Sequence, residues 1–237
     1  MSSIFLNEFI GTAILILLGN GVVANVVLKK TNGNNSGWIV ITFGWAIAVF
    51  TGVYISAKGS GAHLNPAVTL AMAWLGKIEW SVVPAYFGGQ VLGGMAGALL
   101  VWITYLKHFE ITDDGAAKLA VFSTMPAIKS PAHNFITEMI GAFVLIFGVL
   151  YIAAPSASLG ALDALPVALL VLGIGLSLGG PTGYAINPAR DLAPRIMHAI
   201  LPIHGKSNSG WGYSWIPVIA PMVGALLAAI VFGCING

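Results

Sequence analysis

Charged residues are scarce in this sequence, and their scarcity excludes an ordinary water-soluble domain. Only 8% of the 237 residues are Asp, Glu, Lys or Arg, whereas 57% are hydrophobic. Soluble domains carry about 25% charged residues, because a compact globule needs a hydrated surface. With a mean hydropathy of +0.90, this chain cannot cover itself in water. The composition therefore indicates a protein that lies in lipid.

Cysteine is almost absent as well, which excludes other classes of protein. Cys234 is the single cysteine, so no internal disulfide can form and no cysteine cluster can bind a metal. We expect no metal and no cofactor. The net charge of +2 comes without a basic run, so we expect no nucleic-acid partner. The first apolar stretch lacks a basic start and a small-residue cleavage pattern, and we interpret it as a retained span.

Long apolar runs stand where charge is missing. A helix needs about 20 apolar residues to cross the hydrocarbon core of a bilayer, and most of the runs reach that length. The fifth run is short. The six predicted spans are Ile4–Leu28, Trp38–Ala57, Val82–Leu106, Phe135–Ala154, Ala164–Leu178 and Ile216–Ile235. They predict an all-α membrane protein with six transmembrane helices.

The two halves of the chain repeat each other. The segment around Glu8 resembles the one around Glu138 (138 − 8 = 130), and the segment around Asn65 resembles the one around Asn187 (187 − 65 = 122). Each half has three spans, so the second half must enter the membrane inverted. Inverted repeats place a pathway at the interface of the halves. We predict one transmembrane channel domain over residues 1–237, with repeats at about 1–110 and about 131–237.

Two matched triplets begin short apolar segments between the spans. They are Asn65-Pro66-Ala67 and Asn187-Pro188-Ala189. Asn is a favoured N-cap and Pro is favoured at the first helical position. About ten helical residues reach only ~15 Å, half of the ~30 Å hydrocarbon core. We therefore predict two re-entrant half-helices that enter from opposite faces and meet at their N-termini.

The predicted meeting point has a definite chemistry. An Asn that caps its own helix with its amide oxygen leaves its NH₂ group free to donate into the lumen, where a passing water or hydroxyl must turn its oxygen toward it. Two facing helix N-termini also oppose protons and other cations. Irregular backbone at this depth must line a wet cavity. We expect the carbonyls of the segments before the triplets to line the pore, at Gly61, Ala62, His63, Gly183 and Ala185.

These motifs resemble the major intrinsic protein family, the aquaporins and aquaglyceroporins, over nearly the whole chain. The resemblance implies the aquaporin-like right-handed bundle, one pore per subunit and a homotetramer. It also implies the glycerol facilitator branch, because Asp191 follows Arg190 and Val218 follows Pro217.

The same resemblance places the narrowest point, the selectivity filter, at four positions: Trp45, Gly175, Tyr184 and Arg190. Gly175 is expected to leave room where water-selective members carry His. Trp45 and Tyr184 offer an apolar corner for the carbon edge of glycerol, while Arg190 offers donors to its hydroxyls and repels cations. Tyr184 departs from the Phe typical of glycerol facilitators. The balance between glycerol and water stays open here, and lactic acid becomes a candidate cargo.

Three polar residues, Glu8, Glu138 and His63, have competing interpretations. Glu8 and Glu138 occupy matched positions one turn inside their spans, which favours support of the loops by backbone hydrogen bonds over a proton relay. His63 precedes the first triplet by two residues, and we favour loop support over a pH gate.

We predict a passive channel, not an enzyme, for glycerol, other small uncharged solutes and water, with protons and ions excluded. The alternatives are a water- or lactic-acid-preferring channel of the same fold, an ion-coupled secondary transporter, and an adhesive membrane protein with a closed pore. The resemblance implies a multi-pass protein of a bacterial plasma membrane with both termini in the cytoplasm. That orientation places only Lys58 and Lys77 inside, against the positive-inside rule. It places five other lysines outside: Lys29, Lys30, Lys118, Lys129 and Lys206.

Overall fold

A computed structural model describes residues 3–152 and 158–236, and within these ranges the chain is helical with no β-strand. The all-α prediction is confirmed. The helices are α1 (Ser3–Val27), α2 (Trp38–Ser60), α3 (Pro66–Trp74), α4 (Val83–Thr104), α5 (Leu106–Ile111), α6 (Gly115–Phe122), α7 (Pro131–Tyr151), α8 (Leu165–Leu178), α9 (Pro188–Ile200) and α10 (Trp211–Asn236). Short 3₁₀ turns, Trp80–Val82 and Gly160–Ala164, lead into α4 and α8.

Six of these elements are long and apolar enough to cross a membrane: α1, α2, α4, α7, α8 and α10, with the 3₁₀ turns counted into α4 and α8. They are the six predicted spans, with shifted ends. The last span begins at Trp211 rather than Ile216, and the fourth begins at Pro131 rather than Phe135. The predicted end of the fourth span, Ala154, lies outside the described residues. The chain is therefore a multi-pass membrane protein.

The helices have the same neighbours in both halves of the chain. Helix α1 packs against α2 and α4, and α7 packs against α8 and α10. Each half-helix crosses to the other half, because α3 contacts α10 and α9 contacts α4. The two halves therefore interlock around the point where the half-helices meet.

Small residues allow two of these helix pairs to approach closely. A Cβ atom at Gly93 or Gly97 of α4 would collide with the backbone carbonyls of Phe9 or Ala13 on α1, and one at Gly224 of α10 would collide with the carbonyl of Met139 on α7. Close backbone approach at small residues is how helices associate in lipid, where burial of apolar surface gives little driving force. This packing holds α1 and α7 in place, and those helices carry Glu8 and Glu138.

Candidate functional site

The two half-helices meet at their N-termini through their capping asparagines. Asn65 Oδ1 accepts a hydrogen bond from the Ala67 N–H at 2.9 Å, and Asn187 Oδ1 accepts from the N–H groups of Ala189 and Arg190 at 3.0 and 3.1 Å. Each oxygen therefore caps its own helix. A proline at the first helical position follows each Asn, as the sequence indicates.

The amide NH₂ groups differ from the expectation that both are wholly free. Asn65 Nδ2 donates to the carbonyl of Ile186 at 3.0 Å, and Asn187 Nδ2 donates to the carbonyl of Leu64 at 2.8 Å. The physical reason is that each of these carbonyls is buried at the tip of the opposite loop, where it needs a donor. An amide NH₂ carries two hydrogens, so each Asn keeps one N–H for the lumen.

The loops that lead into the half-helices have matching, strained backbones. Ala62 and Leu64 have φ angles of 52° and 49°, and their counterparts Tyr184 and Ile186 have φ angles of 38° and 44°. The left-handed region costs a residue with a side chain about 1–2 kcal/mol. Such a conformation persists only where the surroundings enforce it.

Two buried carboxylates hold these loops. Glu8 accepts hydrogen bonds from the N–H groups of His63 at 3.0 Å and Leu64 at 2.7 Å, while Glu138 accepts from Ala185 at 3.0 Å and Ile186 at 2.9 Å. Neither side chain is more than 1% exposed. Glu8 also accepts from side chains, at 2.6 Å from the Ser60 hydroxyl and 2.8 Å from the Gln90 amide. With their oxygens occupied by fixed donors, the carboxylates are placed to support the loops rather than to relay protons.

The loop carbonyls remain available as acceptors. No hydrogen bond from the described residues reaches the carbonyl oxygens before the Asn caps, at Gly61, Ala62, His63, Gly183, Tyr184 and Ala185. All of these residues except Gly183 line one continuous cavity, which also passes both asparagines. Unpaired carbonyls inside a protein need water or a polar solute. The arrangement can hold a single file of hydroxyl groups.

The rest of this cavity is mainly aliphatic, with few polar side chains. Those that line it are Trp45, His63, Asn65, Tyr184, Asn187 and Arg190. Two of them are in contact, because the Arg190 guanidinium lies 4.2 Å from the centre of the Trp45 ring. Tyr184 lines the same cavity. Arg190 is 8% exposed, and its guanidinium has no hydrogen bond to any described residue. Its N–H donors are therefore free for a solute.

Gly175 and Gly183, both predicted pore residues, do not line this cavity. A Cβ atom at Gly175 would lie 2.9 Å from Tyr184 Cζ and 3.0 Å from Thr42 Cγ2. The room expected beside Gly175 is thus filled by the Tyr184 ring, whose edge-to-face contact with Trp38 at 5.7 Å fixes it there. Gly183, with φ at 82°, serves the turn and abuts Thr124.

Sequence reasoning missed a buried ion-pair network behind the second half-helix. Arg195 pairs with Asp191 at 2.7 Å, and both side chains are fully buried. Arg195 also donates to the carbonyls of Ser209 at 2.7 Å and Thr124 at 2.8 Å, while Asp191 accepts from the Thr124 N–H and hydroxyl at 2.7 Å. The acid and base stand four residues apart in a segment expected to lie within the membrane, which was a usable signal.

Comparisons with known proteins agree with this geometry. The model of the family described as major intrinsic protein matches residues 2–232. The chain is 57% identical to a probable glycerol uptake facilitator protein of Thermotoga maritima, over 97% of this chain and 98% of that protein. It is 52% identical to the glycerol uptake facilitator protein of Streptococcus pneumoniae, over 98% of each.

A solved structure is similar as well. The aquaglyceroporin from Plasmodium falciparum superposes with a TM-score of 0.85 at 31% identity, covering 97% of this chain and 94% of that one. The family match spans nearly the whole chain and includes both half-helices. This chain therefore belongs to the major intrinsic protein family.

Proposed function

We propose that this chain is a passive channel that carries glycerol, other small uncharged solutes and water across a bacterial plasma membrane. The observation that carries the proposal is the cavity between the half-helices, with free donors at Arg190, an aromatic wall at Trp45 and Tyr184, and free carbonyls beyond. Relatives named as glycerol uptake facilitators, at 52–57% identity, support glycerol as the cargo.

Glycerol fits this surface because its two edges differ. Its hydroxyls face the Arg190 guanidinium and then the loop carbonyls, which replace lost water contacts one by one. Its C–H edge slides along Trp45 and Tyr184. A cation would meet the fixed charge of Arg190 in a poorly hydrated passage, where electrostatic repulsion is strong.

The asparagine pair accounts for the proposed exclusion of protons. The remaining N–H of Asn65 and that of Asn187 both donate, so a water between them must turn its oxygen toward both. Its hydrogens then point outward in opposite directions, and a chain of waters cannot pass a proton through this point. The N-termini of α3 and α9 add positive partial charge at the same place.

An ion-coupled transporter is the competing function, and the buried charges argue against it. Glu8, Glu138 and Asp191 do not line the cavity, and each accepts hydrogen bonds from protein donors. No pair of free carboxylates faces the pathway among the residues described. We therefore propose facilitation without coupling, catalysis or a cofactor.

We also propose that both termini lie in the cytoplasm, an orientation in which Arg190 and the filter face the outside of the cell. We further propose that the channel is a homotetramer. The structure accounts for three of the lysines that this orientation places outside. Lys29 pairs with Asp113 at 2.6 Å, Lys118 donates to the His204 carbonyl, and Lys206 caps the C-terminus of α9 by donating to carbonyls such as that of Leu201 at 2.7 Å. These lysines fasten the loops, and their positions follow from that role.

Light scattering on proteoliposomes tests the proposed function. Vesicles with protein, and matched protein-free vesicles, are mixed rapidly with glycerol, lactic acid or an impermeant osmolyte that reports water flux. We expect fast, non-saturating glycerol entry that needs no ion gradient. Fast water flux with protein-free rates for glycerol would refute the glycerol assignment, and entry that requires a sodium or proton gradient would favour the transporter. Lactic acid entry as fast as glycerol entry would support the broader cargo range that Tyr184 suggests.

A further inference from the structure

Trp38 lies behind the filter and contacts it from outside the cavity. It is the first residue of α2, it is 39% exposed, and it does not line the cavity that passes the asparagines. Its indole nevertheless contacts two filter residues. The Nε1–H donates to the Gly175 carbonyl at 3.0 Å, and the ring meets the Tyr184 ring edge to face, with planes at 78°. Any influence of Trp38 on a solute must therefore pass through these neighbours.

Two glycines of α8 form the surface on which both rings lie. Gly175 and Gly179 stand four residues apart, so they share one face of the helix. A Cβ atom at Gly175 would lie 2.9 Å from Tyr184 Cζ, and one at Gly179 would lie 2.6 Å from Tyr184 Cδ1 and 2.8 Å from Trp38 Cζ2. Both aromatic rings thus lie directly on the α8 backbone. A side chain at Gly179 would push them off it.

The Tyr184 ring separates α8 from the cavity at the filter. Tyr184 lines the cavity, whereas Gly175 and Gly179 behind it do not. Movement of the ring away from α8 therefore narrows the passage. Trp38 lies outside the cavity, so movement of the ring toward the place that Trp38 occupies widens the passage. The glycines set how far the ring stands from α8, and Trp38 sets its position in the other direction.

The Tyr184 hydroxyl favours movement of the ring into any space that Trp38 vacates. This hydroxyl is buried and has no hydrogen-bond partner among the described residues. An unpaired buried hydroxyl costs free energy, and a water would relieve that cost. Trp38 begins a spanning helix, so it lies at the edge of the membrane, where water is present. A smaller side chain at position 38 would open a space that admits water and draws the Tyr184 ring out of the cavity.

We propose that Trp38 is a positioning residue of the filter, which limits the size of the solute that passes by holding the Tyr184 ring on Gly175 and Gly179. The inference rests on the proposed channel function. The simpler interpretation is that Trp38 only anchors α2 at the membrane interface, as tryptophans often do. An anchor would affect stability or insertion, whereas a positioning residue changes the ratio of fluxes for solutes of different size.

A pair of tryptophan substitutions distinguishes these interpretations. Trp38→Leu is compared with Trp211→Leu, because Trp211 begins α10 as Trp38 begins α2, is 48% exposed, and contacts no filter residue. Fluxes of glycerol, the four-carbon polyol erythritol and water are measured on the same proteoliposomes, so the ratios do not depend on the amount of folded protein. We expect Trp38→Leu to raise the erythritol-to-glycerol ratio about two- to tenfold, the value of one aromatic pair. Trp211→Leu should keep the wild-type ratio.

A pair of glycine substitutions on α8 moves the same ring in the opposite sense. Gly179→Ala pushes the Tyr184 ring into the cavity, so we expect glycerol flux to fall about fivefold or more relative to water flux. Gly173→Ala adds the same methyl group to the same helix, at a position where nothing lies within 4 Å. This control should keep the wild-type ratio.

An unchanged erythritol-to-glycerol ratio in Trp38→Leu would overturn the proposal, and so would an equal change in Trp211→Leu. Should Trp38→Leu fail to fold, Trp38→Phe keeps an aromatic edge without the N–H, and a smaller change in the same direction is expected. Wild-type vesicles that pass water but no glycerol would refute the glycerol assignment alone. Water flux then tests the inference, with a rise expected in Trp38→Leu and a fall in Gly179→Ala relative to their controls. Wild type without flux of any of these solutes would refute the proposed function, and the inference with it.

Discussion

The two halves of the pore have the same backbone and different side chains. The filter positions and their counterparts in the other repeat lie 20, 12 and 3 residues before, and 3 residues after, the capping asparagine of their own repeat, Asn65 or Asn187. Around the filter they are Trp45 (65 − 20), Gly175 (187 − 12), Tyr184 (187 − 3) and Arg190 (187 + 3). Their repeat counterparts are Val167 (187 − 20), Val53 (65 − 12), Ala62 (65 − 3) and Val68 (65 + 3). All four counterparts line the cavity and all are aliphatic. The repeat therefore supplies the passage twice, and the proposed filter forms where Trp45 of the first repeat meets Tyr184 and Arg190 of the second.

The half-helices also differ in what holds them. Asp191 and Arg195 of α9 form a buried ion pair, and the equivalent residues of α3 are Thr69 (191 − 122) and Ala73 (195 − 122). Helix α3 is held by neutral hydrogen bonds, such as Gln90 to Thr69 at 3.0 Å. The half-helix that carries the charged filter residue is thus the one anchored by charge.

Removal of Arg195 should have the largest effect on stability, because it removes the ion pair that distinguishes α9 from α3. Arg195→Met leaves Asp191 as a buried, unpaired carboxylate and frees the carbonyls of Thr124 and Ser209, so we expect a loss of about 3–5 kcal/mol in stability. Thermal unfolding in detergent measures it. The matched variant in the other half is Thr69→Val, which removes only neutral hydrogen bonds and should cost about 1–3 kcal/mol. Equal losses would show that the ion pair does not anchor α9.

Substitutions of the two supporting glutamates should lower stability by different amounts in the same unfolding experiment. A glutamine has one carbonyl oxygen, so Glu8→Gln and Glu138→Gln each strand a buried backbone N–H and should cost about 1.5–3 kcal/mol. Glu8 should be the costlier, because it also accepts from Ser60 and Gln90. Unchanged unfolding with an altered proton leak in either variant would revive the proton-relay interpretation.

Replacement of Arg190 by Val, the residue type at the matched position 68, tests how much the charge of Arg190 contributes to the difference between the two repeats. Arg190→Val removes the fixed charge, and we expect discrimination against small cations to weaken at least about tenfold. Vesicle flux of ammonium or guanidinium measures it, with Val68→Ala as the control in the other half. Unaltered selectivity and proton exclusion would show that Arg190 does not act on solutes.

The sequence predicted those parts of the molecule that depend on local signals. The spans follow from the lengths of apolar runs, and the starts of α3 and α9 follow from an N-cap Asn and a Pro at the first helical position. Support of the loops by Glu8 and Glu138 was indicated by matched positions in the two repeats. These features need no knowledge of which segments touch.

The remaining features depend on contacts between distant parts of the chain. Asn65 donates to Ile186, which is 121 residues away, so the crossed hydrogen bonds of the asparagines could not be predicted from either triplet alone. The Tyr184 ring covers Gly175 because the loop and α8 pack together. The spacing of Asp191 and Arg195 indicates their ion pair, but the contacts of Arg195 with the carbonyls of Thr124 and Ser209 could not be predicted, because those residues lie in loops on either side of α9 in sequence.

Matched histidine substitutions at Gly175 and Val53 test most directly whether the filter, rather than the repeat-related positions, sets the selectivity between glycerol and water. Gly175→His forces the Tyr184 ring to move, since a Cβ there already lies 2.9 Å from it, and adds an imidazole beside the filter. Val53→His places the same side chain at the equivalent position of the other half. Glycerol and water flux are measured for both variants in proteoliposomes. We expect Gly175→His to lower glycerol flux at least about tenfold more than water flux, and Val53→His to leave the glycerol-to-water ratio near that of the unaltered protein. Equal loss of both solutes in Gly175→His, or the larger ratio change in Val53→His, would contradict the filter.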